Sequence, residues 1–106
     1  MIYEYRAYEA NPGKLPDLQA RFRDHTMKLF ERHGMKNVAY WTVAGEANRL
    51  DYIIAFDDVD QQKHAWAAFG ADPEWQKVRS ESEVSGRLVA NVTSTTLTPT
   101  DFSPLQ

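Results

Sequence analysis

Apolar residues alternate along four stretches of this chain and recur at helical spacing between them. The run Asp51-Tyr52-Ile53-Ile54-Ala55-Phe56 is apolar on both alternations, which suits a strand buried from two sides inside a sheet. Ile2 to Glu9 alternates Tyr3, Tyr5 and Ala7 against Ile2, Glu4, Arg6 and Tyr8, and reads as a first strand. Asn11-Pro12-Gly13 is a turn. Leu15, Leu18, Phe22 and Leu29, with Met27 or Phe30, form the stripe of a helix from about Leu15 to His33. Pro16 fits only its first turn, and Gly34 supplies a left-handed cap.

Lys36 to Val43 and Arg49 to Phe56 alternate around a short turn and predict an antiparallel hairpin. Asp58 or Asp60 is placed to cap a helix over about Gln61 to Phe69, which buries Trp66 and Phe69. Asp72-Pro73 breaks it and starts another short helix, with Trp75 and Val78 facing inward. A polar connection, Ser80 to Gly86, leads to a Val/Thr-rich strand over about Arg87 to Leu97. Residues 99–106 read as an extended tail, because Pro99 and Pro104 block helix.

The order β-α-β-β-α-β is that of a ferredoxin-like α+β domain: a four-stranded antiparallel sheet with its helices on one face. The strand holding Tyr52 and Ile54 falls beside the first strand, inside the sheet. Alternation also puts Tyr8, Tyr40, Tyr52, Ile54 and Phe56 on a different face from Tyr5, Trp41 and Ile53. Two bulky faces and helices for only one of them leave an apolar face open. That face predicts a two-fold homodimer in which two sheets pack together to close an α+β barrel.

The 106 residues fit a single domain, 1–106. The net charge of −3 and the lack of any Lys/Arg cluster argue against a nucleic-acid surface. Cysteine is absent, which excludes disulfides, thiol catalysis and thiolate metal sites. No apolar run approaches the ~20 residues of a membrane span, and the chain enters its first strand without a leader pattern. A cytoplasmic protein with no membrane partner is expected.

Several stretches carry a family likeness. Met1-Ile2-Tyr3-Glu4-Tyr5-Arg6-Ala7-Tyr8, Pro12-Gly13-Lys14, His33-Gly34 and Tyr40-Trp41 occur in order. Asp72-Pro73-Glu74-Trp75 and Phe102-Ser103-Pro104-Leu105 follow. Together these resemble a NIPSNAP domain over essentially the whole chain. The resemblance implies a ferredoxin-like unit that dimerises into an α+β barrel, and it implies no agreed reaction. The barrel superfamily also holds small monooxygenases and haem-degrading enzymes. The haem degraders use an Asn on the first strand, which this chain lacks.

No motif of nucleophilic, metal or phosphate chemistry is present. His25 and His33 lie eight apart on one helix, too far to share an ion, so no metal site is expected. His25 falls three after Phe22, toward the apolar stripe, where it would border a space between helix and sheet. Glu4, Arg6 and Tyr8 share a strand face, and if that face lined the barrel two charges would need partners. They read as a structural ion pair first and an anion or proton-transfer site second. Trp41, Trp66 and Trp75, with Tyr40 and Tyr52, are core aromatics that could also frame a flat apolar ligand.

The leading expectation is a dimeric barrel protein of unassigned activity that binds a small, partly apolar ligand without a cofactor. Its candidate ligand residues are Glu4, Arg6, Tyr8, His25, Tyr40, Trp41, Tyr52 and Trp66. The alternatives are a cofactor-free or haem-dependent monooxygenase, with Trp66 or His25 near the substrate, and an interaction module without a pocket.

Overall fold

Alternating tyrosines at the start and the doubly apolar run at 51–56 become neighbouring strands. The computed structural model describes Met1–Gln106 throughout. Its elements are β1 (Ile2–Ala10), α1 (Leu15–Arg21), a π-helical turn (Phe22–Thr26), α2 (Met27–Arg32), β2 (Lys36–Thr42) and β3 (Arg49–Phe56). α3 (Val59–Ala71), α4 (Pro73–Ser82) and β4 (Val89–Leu97) complete the chain. The sheet is antiparallel in the order β2-β3-β1-β4, so β3 and β1 are the inner strands. This is the ferredoxin-like α+β arrangement, with α4 as the further short helix expected after Asp72-Pro73.

Register separates the two faces. Glu4 pairs with Ile54, Arg6 with Tyr52 and Tyr8 with Leu50, and all six lie on the helix-covered side. Tyr5 pairs with Ile53, Ala7 with Asp51 and Trp41 with Asp51, all on the open side. Glu4, Arg6 and Tyr8 therefore do not face the sheet surface that would line a dimer barrel.

The core lies between sheet and helices, where Leu18, Phe22, Leu29 and Phe30 meet Leu50, Tyr52, Ile54 and Phe56. Burying each such side chain contributes roughly 1.5–3 kcal/mol. Tyr52 is 0% exposed and sits at the middle of an aromatic cluster. Its ring lies 5.1 Å from Phe22, 5.3 Å from Tyr8 and 4.9 Å from Tyr40, on which it stacks.

The first helix is not the regular one that its stripe predicts. The Met27 N–H reaches the Phe22 carbonyl five residues back, and the Thr26 hydroxyl donates to the Arg21 carbonyl. The wide turn brings Phe22, Thr26 and Phe30 all to the sheet side. It also turns His25 to solvent.

The remaining ends follow local chemistry. Asp58 caps α3 by accepting from the Gln61 N–H at 2.8 Å. Asp72 caps α4 by accepting from the Glu74 N–H at 2.8 Å. α4 runs to Ser82, into the stretch expected to be a polar connection. The tail is not simply extended: a turn at Asp101–Phe102 brings it back, and the Tyr3 hydroxyl donates to the Gln106 carbonyl at 2.6 Å. No helix is long and apolar enough to cross a membrane.

Candidate functional site

Arg6 is brought under the helices by its even position in β1, and every nitrogen of its guanidinium is used. Nη1 donates to Glu4 at 2.9 Å, Nη2 to the Tyr8 hydroxyl at 3.0 Å and Nε to the Tyr52 hydroxyl at 2.8 Å. Its Cζ lies 4.4 Å from the centre of the Trp66 ring, a cation–π contact. Burial would lower the Arg6 pKa, but Tyr52, Tyr8 and Glu4 outweigh it, and the group stays firmly cationic.

Glu4, 3% exposed, accepts four hydrogen bonds: from Ser94 at 2.6 Å, Trp66 and Gln62 at 2.8 Å each, and Arg6. Burial alone would raise its pKa. The bonds from Ser94, Trp66, Gln62 and Arg6 overcome that and hold it below the ordinary carboxylate value. The ion pair thus forms between neighbours two apart on one strand.

Beside this cluster, α3 and α4 stand off from the outer part of the sheet and leave a cleft of about 430 Å³. Sites for small molecules span roughly 300–1,000 Å³. One wall is aromatic: Tyr8, Trp66, Phe69 and Trp75, with Phe69 and Trp75 rings 4.7 Å apart. The opposite wall is the start of β4, Val89 to Val92. The mouth carries Arg21, Arg79, Glu83 and Arg87. Arg21 is held by Ser82 at 3.2 Å and Glu83 at 3.1 Å, and its guanidinium lies 5.1 Å from the Trp75 ring centre.

Of the sequence candidates, Arg6, Tyr8 and Trp66 line this cleft, and Glu4 and Tyr52 hold Arg6 from behind. Tyr40 stacks on Tyr52 and donates to Asn37 at 2.6 Å, facing a separate depression with Phe22 and Trp41. Trp41, 49% exposed, belongs to the open side. His25 does not border a space between helix and sheet. It is exposed, on a polar-walled hollow between α1 and α4. Sequence reasoning did not single out Arg21, Arg79 or Arg87. Arg21 alone left a signal, lying three residues after Leu18 on the inward stripe.

No histidine faces the cleft: His25 and His64 are exposed, and His33 donates to Asp72 at 2.7 Å. No cluster of three His or acidic side chains is placed to hold a metal. A haem therefore finds no axial histidine there.

A model of the NIPSNAP family matches residues 3–104. Among solved structures, a NIPSNAP family protein with unknown function from Agrobacterium tumefaciens is 26% identical. The match covers 100% of this chain and 94% of that one, with a TM-score of 0.87. An uncharacterized NIPSNAP domain protein from Burkholderia xenovorans is 23% identical over 98% of this chain and 99% of its own, with a TM-score of 0.83. SnoaB, a cofactor-independent oxygenase from Streptomyces nogalater, shares the fold at 14% identity and a TM-score of 0.69, with 97% and 96% covered. No curated protein matches the chain. With a family model spanning nearly its whole length, the chain belongs to the NIPSNAP family.

Proposed function

We propose that this protein is a homodimeric ligand-binding domain that holds a small, partly apolar molecule in the cleft between α3, α4 and the outer sheet. The cleft carries the reading: it joins an aromatic wall to polar groups whose positions are fixed by packing. The open side of the sheet supports the homodimer. Tyr5, Ile53, Trp41 and Leu97 form an apolar patch there, and pairing two such faces removes it from water. An interaction module without a pocket leaves the cleft unexplained. The oxygenase alternative rests on shared fold alone. The one carboxylate lining the cleft, Glu83, is tied to Arg21.

Native mass spectrometry tests both halves. The expected result is a species at twice the chain mass that takes up two copies of added 2-naphthoate. A monomer throughout would overturn the pairing, and a bare dimer at saturating naphthoate would overturn the cleft as a ligand site.

A further inference from the structure

The charges around the cleft do not cancel. Arg6 is matched by Glu4. Arg21 and Arg79 share a single carboxylate, Glu83, at 3.1 and 3.9 Å. Arg87 lines the same cleft and makes no ion pair. This excess of positive charge occurs in a chain whose net charge is −3, so it does not follow from composition. A second observation concerns Arg21, which is 7% exposed. Its Nε is the one buried side-chain nitrogen or oxygen without a hydrogen-bond partner. Native proteins rarely leave such a donor idle. Flat guanidinium groups beside aromatic rings match carboxylates in particular, because the planar fork bonds two oxygens at once while the rings take an apolar body.

We propose that the cleft selects a small flat organic anion, an aromatic carboxylate being the simplest. Its carboxylate meets Arg79 and Arg87, and its ring lies along Trp66, Phe69 and Trp75. The inference rests on the cleft being the ligand site and adds the charge and shape of what enters it. A neutral ligand of the same shape fills the aromatic wall but leaves the mouth uncompensated.

The test is isothermal titration with 2-naphthoate and its neutral isostere 2-naphthamide. The proteins are the wild type and a double variant, Arg79→Gln with Arg87→Gln, both at exposed positions where folding tolerates the change. The wild type is expected to bind naphthoate at least roughly tenfold more tightly than naphthamide, the scale of one charge-assisted bond. Added salt is expected to shrink the preference, and the double variant to lose most of it. Equal binding of the two compounds would overturn the anion inference and leave the cleft reading standing. Failure of both to bind would overturn both. A preference undiminished in the double variant would also overturn the inference, because the selecting charge would then lie elsewhere.

Discussion

Glu4 shows how one side chain ties the core to the cleft. Its carboxylate fixes Arg6, Trp66, Gln62 and Ser94, contributed by β1, α3 and β4. Glu4→Gln keeps the shape and leaves the Arg6 charge without its counter-ion. The expected loss is roughly 3 kcal/mol in urea unfolding at neutral pH, the scale of a broken buried pair. The substitution also changes the response to acid. The folded pKa of Glu4 lies below its ordinary value of 4.5. As pH falls, the unfolded chain takes up the proton first, so stability is present above that value and lost on passing down through the folded one. The variant is expected to show a shallower acid limb in pH-dependent melts; an unchanged limb would contradict the assignment. The alternation of β1 made Glu4, Arg6 and Tyr8 legible as a group. Arg21 showed only its place on the inward stripe, because its role depends on Ser82 and Glu83 arriving 61 and 62 residues later.

Among the elements, β3 was the most readable, since its residues are apolar on both sides and nothing competes with that pattern. The π-turn at Phe22–Thr26 left no mark, because a single inserted residue does not disturb the stripe of Leu18, Phe22, Leu29 and Phe30 enough to be seen. His25 was misplaced for that reason. The end of α4 was read as a loop because Ser80 to Glu83 are polar, yet a helix with no fully buried residue needs no apolar stripe. α4 is instead anchored at its start. Asp72 caps it, accepts from His33 and pairs with Arg32, and the His33 bond leads the causes that hold the Asp72 pKa down. Asp72→Ala is expected to cost about 1 kcal/mol from the cap alone. It should also speed amide exchange along α4 with little change in β1 and β3, as hydrogen-exchange mass spectrometry would read. At the end of α2, Gly34 has φ +82°, and a Cβ there would stand 2.9 Å from Gln61 Nε2, the group that donates to the Gly34 carbonyl. Gly34→Ala should lower stability by about 1–2 kcal/mol in thermal melts.

At the scale of the whole molecule, the two sides of the sheet differ in kind. The helix-covered side holds the aromatic core and the cleft, whereas the open side holds Tyr5, Ile53, Trp41 and Leu97 around Asp51. Asp51 is buried there by Arg49 and the Tyr5 hydroxyl, and the Arg49 bonds keep its carboxyl ionised. Ile53→Asp adds a second carboxylate to this patch and is expected to give a folded monomer in sedimentation velocity, where the wild type is expected to sediment at twice the chain mass. Retention of a dimer by the variant would place the interface elsewhere. The sheet separates these two roles, and the tryptophans report the separation directly. Trp66 and Trp75 line the cleft, and Trp41 lies on the other side of the sheet. The measurement is a titration of ¹⁵N-labelled protein with 2-naphthoate, following the three indole N–H signals. The Trp66 and Trp75 signals are expected to move together while Trp41 stays; movement of Trp41 alone, or of none, would contradict the separation.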